Sequence, residues 1–241
     1  MTFTTNQLRN SILRGDCIEA MQRIPARSVD FILTDPPYLV RYKDRTGRSI
    51  ANDDNGGWLE PAAHEMYRVL KRDSLCVSFY GWTQTDRFIA AWRAAGFRIV
   101  GHIVFRKRYA SASRFVSYTH ESAYVLAKGR PAMPEHPPAD VIDFPYSGNR
   151  LHPTQKPVAA LAPLIAAFCP AGGLVLDPFC GSGSTLVAAR QAGCAYLGIE
   201  LDRTYHRIAA RRLAAYSLPP HLWPLPRKEG LLAPKEADPS P

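Results

Sequence analysis

Residues 35 to 38 read Asp35-Pro36-Pro37-Tyr38 and follow an apolar run, Val29 to Thr34, that reads as a buried strand. The tetrapeptide suits chemistry on the exocyclic amine of a nucleobase. Such a nitrogen is a poor nucleophile because its lone pair is delocalised into the ring, so a catalyst must draw it toward tetrahedral geometry by accepting its two hydrogens. Asp35 offers a carboxylate acceptor. The carbonyl of Pro36 offers the second, since consecutive prolines hold the chain out of helix and leave their carbonyls free. Tyr38 supplies a flat face on which a base turned out of its stack can rest. The same four residues also fit a rigid turn ending a strand, with Asp35 as a cap and Tyr38 half buried.

A second segment points the same way. Asp177-Pro178-Phe179-Cys180-Gly181-Ser182-Gly183-Ser184-Thr185 lies between an expected strand, Gly173 to Leu176, and an expected helix, Thr185 to Gln191. Small residues at such a turn let a ligand approach the backbone, and the helix that follows presents unpaired amides. Glu200 ends the next strand, 19 residues after Gly181, the spacing at which an acid takes both hydroxyls of a ribose. A phosphate-cradling loop would carry a lysine before its Ser or Thr, whereas Gly183-Ser184-Thr185 has none, so the ligand is a nucleoside without phosphates. S-adenosylmethionine fits. Its cationic sulfonium is tolerated beside Asp177 and Asp35, where a pyrophosphate would be repelled.

Strand and helix alternate as a doubly wound parallel sheet requires. In the C-terminal half, Gly193 stops the helix, Ala195 to Ile199 is a strand, and Asp202 caps a helix running to about Tyr216. Tyr205, Ile208, Ala209 and Leu213 share one face of that helix, while Arg203, Arg207 and Arg211 recur on another that reads as solvated. The N-terminal half has strands at Ser11 to Arg14, Val29 to Thr34 and Leu75 to Tyr80, and helices near Trp58 to Lys71 and at Thr85 to Ala95. Phe97 to Phe105 and Ser122 to Ala127 are expected as antiparallel partners at one edge. After Glu200 and its helix no strand remains to complete the nucleoside site. Ser11 to Cys17 has the needed form, a short apolar strand ending in an acid, which makes the chain a circular permutation. Asp16 is then either an adenine partner, with Cys17 beside it, or the N-cap of a helix over Ile18 to Ile24.

In this order the motifs resemble the beta group of DNA amino-methyltransferases, in which the catalytic motif precedes the cofactor motif. The resemblance covers roughly residues 11 to 216 and includes His152-Pro153-Thr154-Gln155-Lys156-Pro157 ahead of a helix. It implies a seven-stranded, mixed, Rossmann-like sheet. It implies that His152, Thr154, Gln155 and Lys156 close over the methionine end of the cofactor, beside Asp177, Phe179 and the turn from Gly181 to Thr185. Methylation of N6 of adenine or N4 of cytosine in double-stranded DNA follows, with Asp at position 35 favouring adenine because the cytosine enzymes more often resemble Ser-Pro-Pro-Tyr. The resemblance further implies a homodimer and admits a partner restriction endonuclease. Thr119-His120-Glu121 also looks like the family's pattern, though its local chemistry does not distinguish a ligand from a structural pair. A methyltransferase of RNA or of a protein glutamine would share the cofactor half, and a DNA-binding module without catalysis is the non-enzyme alternative.

Composition sets the frame. With 241 residues and 46% hydrophobic content the chain supports one large core, expected over residues 1–216. Residues 217–241 hold seven of its 21 prolines and read as a loosely packed tail. The net charge of +9 favours a polyanionic partner. DNA contacts are expected from Arg41, Lys43, Arg45 and Arg48 in a lid over residues 39–57. Further contacts are expected from Arg106, Lys107, Arg108 and Arg114 in a loop over 106–118, and from an insert over 130–150. Five scattered cysteines without metal-ligand spacing indicate neither zinc nor a disulfide framework, which suits a reducing cytoplasm. The polar first ten residues and an apolar stretch, Val158 to Cys169, too short for a bilayer argue against secretion or membrane insertion.

Overall fold

A computed structural model describes residues 3–43, 47, 49–111 and 115–215. Among them the elements are α1 (Thr5–Leu8), β1 (Ser11–Arg14), α2 (Cys17–Gln22), β2 (Val29–Thr34), α3 (Leu59–Val69), β3 (Leu70–Phe79), α4 (Thr85–Ala95) and β4 (Arg98–Arg106). They continue as β5 (His120–Lys128), β6 (Val141–Asp143), α5 (Val158–Phe168), β7 (Leu174–Asp177), α6 (Ser184–Gln191), β8 (Ala195–Glu200) and α7 (Arg203–Ala215). The expected tail, 217–241, lies outside the described residues, as do Arg45, Arg48 and Arg114.

The strands form one eight-stranded sheet in the order β1-β8-β7-β2-β3-β5-β4-β6, with β5 alone running against its neighbours. Alternation along β2 shows how the layers arise: Phe31 and Leu33 face one apolar cluster with α5 and α6, while Ile32 faces another with α3 and α4. β1 pairs in parallel with β8, so the strand that precedes the catalytic segment in sequence sits at the far side of the cofactor strands. That is the expected permutation.

Three expectations change. The sheet has eight strands rather than seven, because Val141–Asp143 inside the insert at 130–150 adds to β4 as a parallel edge strand. β4 and β5 are antiparallel as expected, but β5 is interior. Leu70 and Lys71, expected as helix, begin β3 instead. There Lys128 Nζ donates to the carbonyl of Leu70 (2.6 Å) and to that of Tyr67, capping the end of α3, and Leu70 turns extended to pair with Val29. On α7 Ala209 and Leu213 are buried and Arg203, Arg207 and Arg211 are exposed, as their spacing predicts. Among the described residues no helix is long and apolar enough to cross a membrane.

Candidate active site

β2 and β7 lie side by side, so their C-terminal ends carry Asp35 and Asp177 to one place. Thr34 Oγ1 donates to Asp177 Oδ1 across that junction at 3.0 Å. A cavity of about 330 Å³ opens there, lined by the segment from Asp35 to Tyr38, the turn from Asp177 to Ser182, Gly15 to Cys17, Glu200, and His152 with residues 154–156. The early and late motifs therefore share one pocket.

Pro36 and Pro37 are buried, and the chain beyond Tyr38 is tied down by Asp53. Asp53 Oδ1 accepts the Leu39 amide (2.7 Å), Oδ2 accepts the Tyr42 amide (2.6 Å), and the Asp53 carbonyl accepts from Arg41 (3.0 Å). Leu39 and Arg41 take left-handed backbone, with φ of 60° and 53°, a conformation that these bonds hold in place. Within the expected lid at 39–57, Leu39, Arg41 and Tyr42 are thus tied to Asp53. Behind it Gly81 is required by space: a Cβ there would lie 2.6 Å from the Tyr38 carbonyl oxygen.

The catalytic side of the cavity is an alternating charge cluster. Lys156 Nζ lies 3.0 Å from Asp35 Oδ2 and 2.6 Å from Glu121 Oε2, and Lys107 Nζ lies 2.6 Å from Glu121 Oε1. The Tyr38 hydroxyl donates to Asp35 Oδ1 at 2.6 Å and accepts from Lys156 Nζ at 3.1 Å. Burial pushes the Asp35 carboxyl above its ordinary range, with the Lys156 ammonium opposing it. Burial acts upward on Glu121 as well, yet Lys156 and Lys107 together bring its carboxyl down to about 2. Lys107, expected to meet DNA, is buried in this cluster, and Lys156, expected on the cofactor, is bound to the catalytic carboxylate.

The wall of the cavity around Gly181 is built from backbone. Gly181, with φ of 50°, passes close to the His152 ring, and its amide donates to Glu200 Oε2 at 2.8 Å. The Asp202 amide donates to the other Glu200 oxygen at 2.7 Å. A carboxylate has about four lone-pair sites, so Glu200 retains acceptor capacity toward the cavity. Burial pushes Asp177 up to about 7, held back by hydrogen bonds from Thr185, the Phe179 amide and Thr34. Asp16 lines the cavity and also caps α2, accepting from the amides of Ile18 (2.8 Å) and Glu19 (3.2 Å) through one oxygen. Both readings of Asp16 are thereby compatible. Burial holds the neighbouring Cys17 thiol neutral, up to about 12. His152 is fixed edge-on against Tyr205 at 4.3 Å between ring centroids, and its Nδ1 meets the Thr154 hydroxyl at 3.1 Å.

Two expected ligand contacts have structural duties. Gly183 stands behind the turn, where a Cβ would come within 3.1 Å of Ala209 on α7, so its missing side chain lets α6 and α7 approach. Ser184 Oγ accepts from Arg212 Nη1 at 3.1 Å. On the outer surface Arg41 and Lys43 are exposed, Arg106 pairs with Asp143 across β4 and β6 at 2.7 Å, and Arg108 is 90% exposed. Glu121, Asp53 and Gly81 had no legible role beforehand. The only trace of Glu121 was its place in Thr119-His120-Glu121, and Asp53 and Gly81 act through contacts that no local spacing announces.

A family model described as DNA methylase matches residues 29–148 and 141–211. The Escherichia coli (strain K12) protein YubD, which bears a methylase name, is 59% identical over 203 residues, spanning 84% of this chain and 89% of its own. The DNA adenine methyltransferase YhdJ of the same organism is 30% identical over 244 residues, covering 84% of this chain and 82% of its own. Among solved structures, a M1.HpyAVI-SAM complex superposes with a TM-score of 0.68 at 22% identity, covering 84% of this chain and 98% of that one. The cytosine-N4-specific PvuII DNA methyltransferase superposes at 0.71 with 17% identity, covering 87% and 86%. These two share the fold. The sequence match across both motifs and the permuted sheet that joins them place the chain in the N6/N4 DNA methylase family.

Proposed function

We propose that this protein transfers a methyl group from S-adenosylmethionine to N6 of adenine in double-stranded DNA. The observation that carries the reading is the single cavity onto which Asp35 and the Gly181 turn both open. Its charged lining supports the choice of methyl donor: Asp16, Asp35, Asp53, Asp177 and Glu200 outnumber Lys156, a balance that attracts a cation and disfavours phosphates.

When bound, the cofactor supplies a methyl group on a positively charged sulfur, electrophilic enough to need no covalent enzyme intermediate. Glu200 accepts from the ribose hydroxyls, Asp16 meets the adenine, and Cys17 and Phe179 contribute apolar wall. The turn at Gly181 and Ser182 lets the ligand lie against backbone, with Thr185 holding Asp177 behind it. His152, Thr154 and Gln155 close the methionine end. A target base rotated from the duplex rests on Tyr38, while Asp35 and the Pro36 carbonyl accept its amine hydrogens. Positive charge that would develop on the amine nitrogen as it is methylated would lie beside the Asp35 carboxylate. The surplus proton leaves through that carboxylate. Arg41, Lys43, Arg106 and Arg108 meet the phosphates around the opening.

Adenine is favoured over cytosine by the Asp at position 35 and by the named activity of YhdJ. Modified-base sequencing and nucleoside mass spectrometry of DNA from cells expressing the chain, in a host without other methylases, test this directly. N6-methyladenine in one sequence context is expected. N4-methylcytosine instead would overturn the base assignment, and unmodified DNA despite cofactor binding would redirect the activity to RNA or protein glutamine.

A further inference from the structure

We propose that Lys156, anchored by Glu121, is a positioning residue that keeps the Asp35 carboxylate ionised and aimed at the target amine, and is not a contact to the cofactor. The inference rests on the methyl-transfer reading above. An ammonium has three hydrogens to donate, and Lys156 has three acceptors in reach: Asp35 Oδ2 at 3.0 Å, Glu121 Oε2 at 2.6 Å and the Tyr38 hydroxyl at 3.1 Å. No donor is left for the cofactor's carboxylate. The side chain is 8% exposed and passes over the Phe79 ring at 4.8 Å, so it is held rather than swinging.

Glu121 fixes that geometry from the sheet. It lies in β5 opposite Phe105, and its second oxygen takes Lys107, whose own amide donates to the Thr119 carbonyl at 2.7 Å. Asp35, Lys156, Glu121 and Lys107 thus alternate in sign and sum to zero, the condition under which buried charges are tolerated. The groups facing Asp35 are Lys156, the Tyr38 hydroxyl, Glu121 and Asp177, and those facing Lys156 are Asp35, Glu121, Tyr38 and the more distant Tyr109. Among the described groups around Asp35, only Lys156 is cationic. Without it, burial beside two further carboxylates would push Asp35 further toward its protonated form. Asp35 would then lose the negative charge that steadies the developing ammonium in the transition state.

The test combines three readouts on wild type, Lys156→Met, Lys156→Arg and Glu121→Gln. They are single-turnover methylation of duplex DNA from pH 6 to 10, cofactor affinity by calorimetry, and the Asp35 carboxyl titration by carbon-13 NMR. For Lys156→Met, transfer near pH 7 should fall about 100-fold and its acid limb should move up by about one pH unit or more. Rate should recover as pH rises, while cofactor Kd stays within about threefold of wild type. Lys156→Arg should restore much of the rate, whereas Glu121→Gln, which removes a carboxylate that itself raises Asp35, should move the limb the other way, down, by less. A Lys156→Met protein with an unmoved acid limb, or with cofactor affinity weakened tenfold or more, would overturn the proposal and return Lys156 to the cofactor. Should Lys156→Met fail to fold, Lys156→Gln, which likewise removes the charge, takes its place, and an unshifted Asp35 titration there overturns the proposal. If wild type modifies no DNA, the functional reading fails separately, and the carbon-13 titration still tests the Lys156 assignment.

Discussion

The two sides of the cavity are made by different means. The side proposed to hold the cofactor is contiguous: strand, glycine-rich turn and helix bring their own amides, and single acids at the ends of β1 and β8 complete it. The catalytic side is assembled from four distant segments, with Asp35, Lys107, Glu121 and Lys156 meeting only in three dimensions. One side presents backbone to the cavity; the other presents a buried charge cluster. Substitutions should therefore separate binding from chemistry.

The largest separation is expected at Asp35. Asp35→Ala should lower the single-turnover rate by roughly a thousandfold or more, by removing the acceptor and the charge facing the developing ammonium, and leave cofactor affinity in calorimetry unchanged. Gly81→Ala comes next, because its Cβ would push against the Tyr38 backbone and displace the base platform. A misplacement of about 1 Å costs about 100-fold in rate, again without weakening the cofactor. Glu200→Ala should do the reverse, raising cofactor Kd by about tenfold or more with little change in rate at saturation, as expected for hydrogen bonds to a charged group. Loss of rate with full affinity in Glu200→Ala would break the division between the two sides.

The smallest effect is a pH dependence on the cofactor side. Asp177, pushed up to about 7 by burial, holds a proton in the empty site over much of the acid range, whereas a cationic ligand favours the ionised form. Binding then releases a proton, so affinity rises with pH until about 7 and levels off above it. Asp177→Asn should flatten that rise in calorimetry across buffers.

This division also explains what the sequence could reveal. That Asp35 to Tyr38 and the turn from Asp177 would open onto one cavity was readable because each follows a locally recognisable strand, and α4 was bounded at Thr85 and Ala95 by its period and the glycine that follows. The limits came where a residue's meaning lies in a remote partner. Lys107 sits between arginines and resembles a phosphate contact, yet Glu121 draws it into the interior. Lys156 belongs to a motif associated with the cofactor, yet faces Asp35. β6 was hidden because Val141 to Asp143 is too short to show alternation, and gains strand form from the open edge of β4. Gly183 and Gly181 look equivalent in the string, and only the approach of α7 separates a packing glycine from a ligand-facing one.

β1 and β2 are close in sequence, but β7 and β8 lie between them in the sheet, contributed by residues 174–200. The nucleoside pocket therefore cannot exist in a partly made chain: the early strands must wait, apolar edges open, until late ones slot into the gap. Such long-range closure slows folding and leaves a window for mispairing. It also means that both walls of the cavity arise in the same folding step.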